Sequence, residues 1–476
     1  MADMKGRHVL GLDKFFKPES VAVIGASNNP LKGGYMVIRN LLKFDYKGKI
    51  YPVNPREREI LGLKSYPSVK SIPESVDLAF VIVPREIVPG VIQECADKGI
   101  KCIIVSSAGF KESGEEGSQL ENKIVEIAKK ENIRVIGPNT IGLINSSNNL
   151  ILSFAPFEFI RKGPVAIIAQ SGVFCGAALH WLLSSKIIGI SKSVGLGNKC
   201  DVTEVEMLEY LGDDEETEII FLHTEGLKDG RKFLRIAREV SKKKPLIVMK
   251  FGRTSIGAKA IVSHTGTIAG KDTIFATVLK QIGALRVDDL DELRDLVKIL
   301  LGSRLISGNR VAIITYSGAT GAQTSDLCIE AGLLIPELDE ATILKIEDKC
   351  PPWMKISNPI DIWPAAMQHG ADKIYDEVIR AISSDPNVDV IIVLVCVSYA
   401  DHQKPSPQTL LNAISQIEKP SVVCTIGTSA DIEKYQEILE GNRIPVFTSV
   451  KSCVEAISRL WQYSKFRLEL TTTQFF

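Results

Sequence analysis

The sequence predicts an α/β protein built from doubly wound parallel sheets, one after another along the chain. Three observations predict it. Short apolar runs alternate with helical stretches from one end to the other, which is the pattern of parallel strands joined by crossover helices. Three of these runs end in a glycine turn that opens a helix: Ser20 to Ser27 with Gly25, Pro164 to Gly176, and Arg310 to Gly321. The length, 476 residues, fits roughly three domains of about 150 residues each.

Composition narrows the classes of function. The chain is 45% hydrophobic and 24% charged, with 57 basic and 57 acidic residues. A neutral balance predicts no nucleic-acid partner, so an anionic ligand must be held locally. No apolar run is long enough to cross a bilayer, and Met1 to His8 lacks a signal peptide's apolar stretch. The nine cysteines are scattered and form no Cys-x-x-Cys pair, as expected of reduced thiols rather than a disulfide framework. These readings predict a cytoplasmic protein.

The first domain is read over 1–148. Ser20-Val-Ala-Val-Ile-Gly25 is a buried strand with a tight turn, and a helix follows over Tyr35 to Leu42. Further strands are read at Lys49–Asn54, Leu78–Val83 and Lys101–Ser106, with helices near 86–98 and 117–131. A helix N-terminus at the first turn is suited to phosphate, although an ordinary strand–helix turn has the same look. The second glycine of the dinucleotide fingerprint is missing, and the second strand ends in Asn54, not in an acid for a nicotinamide ribose. Lys32, Arg56 and Arg58 place cations near the strand tips, which suits further phosphates.

The second domain is read over 149–302, with Gly137 to Asn145 as a turn-rich bridge into it. The strand Pro164–Ala169 runs into Gln170-Ser-Gly and a helix over Ala177 to Leu183. Ser171 and Gly172 either face an anion with their N–H groups or serve as a plain cap. The strand Glu218–His223 leads to Glu225, at the strand end where active sites form; the alternative is a surface acid. The strand Pro245–Phe251 feeds the stretch Ala260 to Gly270, read as a loop because Ser263, Thr265, Gly266 and Thr267 are poor helix formers. It holds His264, one of six histidines. A neutral imidazole can act as a nucleophile, although a lone loop histidine more often bonds nearby backbone. His180 and His223 lie on apolar elements and read as structural.

The third domain is read over 309–476, after a linker at Leu301 to Asn309. Arg310–Thr315, Tyr316-Ser-Gly and the helix from Ala322 repeat the strand–turn–helix unit, so Ser317 and Gly318 are a second candidate anion position. Strands at Val388–Val397 and Ser421–Thr425 complete a flavodoxin-like reading.

The residues then carry a resemblance. Val-Ala-Val-Ile-Gly-Ala-Ser27 with Pro30, Lys32 and Gly33, Tyr51-Pro-Val-Asn-Pro55, Ser106-Ser-Ala-Gly-Phe110, Lys250-Phe-Gly-Arg-Thr254 and Ser263-His-Thr-Gly266 resemble the ADP-forming acyl-CoA synthetases of the succinyl-CoA synthetase superfamily. The resemblance implies an N-terminal Rossmann-like CoA-binding domain followed by two flavodoxin-like ligase domains. It implies that CoA is contacted by Gly25, Ala26, Ser27, Asn28, Asn54, Arg56, Ser107, Ala108 and Gly109, and Lys32 joins them as a cation beside the strand tips. It implies phosphate at Ser171, Gly172, Ser317 and Gly318, a phosphohistidine at His264, and Glu225 as its acid partner; no metal ligand is implied on this chain. The reaction implied is acyl-CoA, phosphate and ADP giving acid, CoA and ATP, with acetyl-CoA as the default substrate. No Gly-x-x-x-x-Gly-Lys-Ser/Thr loop and nothing like an ATP-grasp domain is found. The expectation is therefore an α subunit with an ATP-grasp β partner in an α2β2 assembly, the partner holding ATP or ADP with Mg²⁺. Two alternatives stay open at this point: a non-catalytic CoA-binding scaffold, and an NAD(P)-dependent oxidoreductase.

Charge reversal at Lys32 or Arg56 is expected to weaken CoA binding and to leave the remainder less sensitive to salt, because ions screen phosphate contacts. Titration calorimetry at two ionic strengths checks this, and unchanged affinity in both variants contradicts it.

Overall fold

A computed structural model describes residues 11–265 and 270–473. The chain divides into two compact units, Met1–Leu183 with Gly189–Asp288, and Ser184–Ile188 with Asp289–Phe476.

The first unit holds two large sheets and a two-stranded antiparallel ribbon, Glu59–Ile60 with Leu63–Lys64. The first contains β1 (Ser20–Ile24), β2 (Lys49–Val53), β3 (Leu78–Val81), β4 (Cys102–Val105) and β5 (Arg134–Ile136), in the order β2-β1-β3-β4-β5. Every pairing is parallel. Helices Gly33–Lys43, Val88–Asp97 and Glu115–Glu131 make the crossovers. All residues of β1, β3 and β4 are buried, as both faces of a parallel sheet are covered. Alternate residues of β1 serve opposite faces. Val21 and Val23 join Val37, Ile38 and Leu41 of the first helix, while Ala22 and Ile24 join Val88, Ile92 and Ile124 on the other side.

The turn after β1 depends on two glycines. Gly25 has φ +98°, and a Cβ there would stand 2.2 Å from the Ile82 carbonyl oxygen. A Cβ on Gly34 would stand 2.0 Å from the Gly25 oxygen, so the first helix packs directly on the turn. This close approach is the role of the fingerprint's third glycine, and the second has no counterpart here.

The second sheet contains β6 (Gly142–Asn145), β7 (Leu150–Ser153), β8 (Lys162–Ala169), β9 (Ile190–Gly195), β10 (Ile219–Thr224), β11 (Leu246–Lys250) and β12 (Leu285–Arg286), in the order β12-β11-β10-β8-β9-β6-β7. The bridge expected over Gly137 to Asn145 is therefore half strand. Gly142–Asn145 pairs antiparallel with both β7 and β9. Four residues flanked by Gly, Pro and Asn show too little alternation to read as a strand; pairing on both sides makes them one.

The second unit holds β13 (Val311–Thr315), β14 (Ile360–Asp361), β15 (Val390–Cys396), β16 (Ser421–Ile426) and β17 (Val446–Phe447), parallel in the order β14-β13-β15-β16-β17. Glu440 anchors the Ser184–Ile188 strap there. Its Oε2 accepts from Ser185 Oγ at 2.9 Å and the Lys186 N–H at 3.1 Å, and its Oε1 pairs with Lys298 at 2.6 Å. No described helix is long and apolar enough to cross a membrane. All nine cysteines are free thiols.

Gly34→Ala is expected to destabilise the protein by roughly 1–3 kcal/mol, as overpacking does, and to weaken ligand binding at the β1 turn. Thermal melting with and without CoA checks both.

Candidate active site

Strand register brings three chemistry-bearing ends of the second sheet to one edge. Ala169 of β8 pairs beside His223 of β10, and Thr224 of β10 beside Lys250 of β11. The turn from Gln170, the loop from Glu225 and the segment leading to His264 all leave the sheet there, at the carboxyl ends of its strands.

Glu225 is 1% exposed, so the surface-acid alternative falls. Gln170, itself buried, holds it twice. Gln170 Oε1 accepts the Glu225 N–H at 3.0 Å, and Gln170 Nε2 donates to Glu225 Oε2 at 3.3 Å. Lys199 comes from the loop after β9. Its Nζ donates to the Gly226 oxygen at 2.8 Å and pairs with Glu204 at 2.9 Å, both side chains being buried. Burial pushes the Lys199 ammonium below its usual pKa, and the nearby charges of Glu204 and Glu225 oppose that shift. Burying a charge is tolerated only with such pairing.

His223 sits within the same edge. Its ring stacks on Phe174 at 4.3 Å and meets Phe251 edge-on at 4.6 Å. Its Nδ1 accepts the Ser171 N–H at 3.4 Å. Ser171 makes no side-chain cap bond, and a 3-10 turn, Gly172–Cys175, follows it before the six-residue helix Ala177–Leu182. The expected helix N-terminus at Ser171 is therefore a tight turn. His180 is structural, stacked on Phe157 at 4.7 Å with Nδ1 at 3.1 Å from the Gly176 oxygen.

The loop expected around His264 requires correction. Ser255–Thr265 is a helix, and residues 266–269 lie outside the described residues. Thr254 starts the helix, accepting the Gly257 N–H on Oγ1 at 3.1 Å and the Ala258 N–H on its carbonyl at 2.8 Å. Ala258, Lys259 and Ala260 favour helix, and Ile261 is buried. The weak formers Ser263 and Thr265 fall in the last turn, where propensity costs least. Before this helix, Lys250 closes the turn with its Nζ at 3.2 Å from the Phe251 oxygen. Burial lowers its pKa, against the field of Asp272.

The expected CoA loops meet at the tips of β1, β2 and β4. Asn54 Nδ2 donates to the Ala26 oxygen at 2.8 Å, and its Oδ1 accepts the Arg56 N–H at 2.8 Å. Ser107 Oγ accepts the Val83 N–H at 3.0 Å, and Ser27 is buried beneath Asn29. Asn28 is taken up by its neighbours, donating to the Glu59 oxygen at 2.8 Å and accepting from the Leu61 N–H at 3.0 Å. Lys32, Arg56 and Ala108 are exposed. Glu112 links this edge to the second sheet. It accepts the Gly109 N–H at 2.7 Å and the Asn198 Nδ2 at 2.6 Å, one residue before Lys199.

In the second unit, Ser317 precedes the thirteen-residue helix Gly318–Glu330 and makes no side-chain cap bond. Asp361 Oδ2 lies 3.4 Å from where a Cβ on Gly318 would stand, so that helix start already faces a carboxylate. Among the described residues no group of three or more His, Cys, Asp or Glu is arranged to hold a metal ion.

A CoA binding domain model matches residues 19–146, and a succinyl-CoA ligase like flavodoxin domain model matches residues 162–300. The chain is 42% identical over 459 residues to acetate–CoA ligase (ADP-forming) II of Archaeoglobus fulgidus, covering 96% of this chain and 68% of that one. It is 38% identical to acetate–CoA ligase (ADP-forming) II subunit alpha of Pyrococcus furiosus, covering 95% and 98% respectively. The solved structure of dinucleotide-forming acetyl-coenzyme A synthetase 1 of Ca. Korarchaeum cryptofilum, in complex with phosphate and ADP, matches with a TM-score of 0.88 at 34% identity, covering 97% of this chain and 98% of that one. The chain belongs to the ADP-forming acetate–CoA ligase family.

Sequence reasoning singled out neither Gln170 nor Lys199, and His223 is packed between Phe174 and Phe251 as its structural reading expected. A signal existed for Gln170, a polar residue directly after an apolar strand. Lys199 read as an ordinary loop lysine, and its burial follows from packing against Gly226 and Glu204. Lys199→Met strands Glu204 in a dry site and is expected to cost roughly 3–5 kcal/mol. Urea unfolding of the purified chain checks it, and a loss near zero contradicts the pairing.

Proposed function

We propose that this chain is the acyl-transferring, phosphohistidine-bearing subunit of an ADP-forming acyl-CoA ligase. It converts acetyl-CoA, phosphate and ADP reversibly to acetate, CoA and ATP. The observation that carries the reading is the buried Glu225, held by Gln170 at the sheet edge from which the His264 helix departs.

In this reading CoA lies over the first sheet's tips, its phosphates near Lys32 and Arg56 and its body along Gly25–Asn28, Asn54 and Ser107–Gly109. The thioester is delivered to the Ser171–Gly172 turn. A phosphate oxygen attacks the thioester carbonyl; the C–S bond breaks, CoA leaves as the thiolate and is protonated, and acyl phosphate forms. Nε2 of His264 then attacks phosphorus, and the P–O bond to the acyl group breaks to release acetate. Glu225 accepts the Nδ1 hydrogen, fixing the tautomer and stabilising the imidazolium that develops. ADP finally takes the phosphoryl group as the P–N bond breaks.

The last step needs a nucleotide site, which we assign to an ATP-grasp partner in an α2β2 assembly, with Mg²⁺ accompanying the nucleotide. The Pyrococcus furiosus relative's name as a subunit alpha supports a partner. Ser317 and Gly318 contribute to phosphate handling in this reading only together with a cation that offsets Asp361. The cytoplasm is the proposed compartment, consistent with the free thiols.

The assembled complex given ATP and Mg²⁺ is expected to acquire an acid-labile, base-stable phosphate on His264. His264→Ala should lose labelling and turnover while keeping CoA affinity. Glu225→Gln should lose about 10²–10⁴-fold in rate. Phosphate mapped to another residue in His264→Ala overturns the reading.

A further inference from the structure

We propose that Gln170 is a positioning residue for the phosphoryl transfer, acting through Glu225; this rests on Glu225 being the acid partner of His264. Gln170 follows β8 and is 3% exposed. Its backbone N–H donates to the His223 oxygen at 3.1 Å, so the residue is pinned at the strand tip. From there its side chain spans to the tip of β10 and makes two contacts with a single residue. Oε1 accepts the Glu225 N–H at 3.0 Å, and Nε2 donates to Glu225 Oε2 at 3.3 Å.

The two contacts fix each other. A backbone N–H can only donate, so it selects the oxygen end of the amide. The nitrogen end must then face the carboxylate, and it needs an acceptor there. The amide nitrogen thereby holds Oε2 in place, which orients the carboxylate that is to receive an imidazole N–H. The same pair of bonds sets the plane of the carboxylate relative to its own backbone. The peptide is also held from its far side, where the Gly226 oxygen accepts from Lys199 Nζ at 2.8 Å and Thr224 Oγ1 at 3.0 Å. Glu225 is thus braced along the chain as well as at its carboxylate. A core glutamine needed for packing alone would require only that its polar atoms be satisfied; it would not couple to the rate through one particular acid.

A double-mutant cycle on the complete enzyme, assembled with its nucleotide-binding partner and assayed with acetyl-CoA, phosphate and ADP, separates these cases. Gln170→Leu is expected to lower kcat roughly ten- to a hundredfold, as small misplacements of catalytic groups do. The KM values for acetyl-CoA and phosphate should stay within about twofold, because no substrate contact is removed. The variant Gln170→Leu/Glu225→Gln should be no slower than Glu225→Gln alone, because residues acting through one another are not additive. Gln170→Glu keeps an acceptor for the Glu225 N–H but presents a carboxylate to a carboxylate. It should lose rate like the leucine variant, and it serves in its place if Gln170→Leu does not fold. A Gln170→Leu enzyme with near-parental kcat, or losses that multiply in the double variant, overturns the assignment. A Glu225→Gln enzyme with parental kcat overturns it too, by a separate route, since the acid reading itself then fails.

Discussion

A single carboxylate buried at a sheet edge sets the terms for the second sheet. Glu225 is buried at the carboxyl end of β10, where an ionised acid is costly unless its oxygens are met. Its surroundings meet that need in layers. Gln170 reaches it from the neighbouring strand, Lys199 braces the next peptide, and Glu204 balances the Lys199 charge. Each depends on the parallel register, which aligns Ala169, His223 and Met249 across three strands and sets Lys250 beside Thr224. A shift of one residue would point these side chains to the opposite face.

The first sheet contributes by proximity within the same compact unit. Its candidate CoA loops are tied to the second sheet's edge through Glu112, which bonds Gly109 on one side and Asn198 on the other. Ile141, on the segment joining the sheets, lies 3.5 Å from where a Cβ on Gly172 would stand. The turn at Gly172 thus lies against the segment that joins the two sheets.

The dinucleotide fingerprint shows how one packing need can be met in two ways. The usual pattern spaces three glycines along the turn and helix. Here Gly25 takes the positive-φ position and Gly34 supplies the close approach of helix to strand. The turn survives without the middle glycine, and β2 ends in Asn54, bonded to Ala26 and Arg56, in place of a ribose-binding acid. The nicotinamide alternative loses its footing there, and the ligase relatives remove it.

The sequence by itself determined the strand–turn–helix repeats, the parallel strands of the three large sheets and the family motifs, because these rest on local periodicity and on short runs of residues. It placed Glu225 just beyond a strand end for the same reason, whereas His264 falls near the end of the helix Ser255–Thr265 and not at a strand end. It did not determine that Ser255–Thr265 is a helix, since the small residues of its last turn outweigh Ala258 to Ile261 in any local reading. Nor did it determine that Gly142–Asn145 is a strand, which exists only because β7 and β9 pair with it. The partners of Glu225 were decided by tertiary structure alone. Gln170 lies 55 residues from it in the chain, Lys199 reads as solvent-exposed in isolation, and Asp361 meets Gly318 only through the pairing of β13 with β14. Burial and cross-strand contact are properties of the packed sheet, and no local pattern of residues records them.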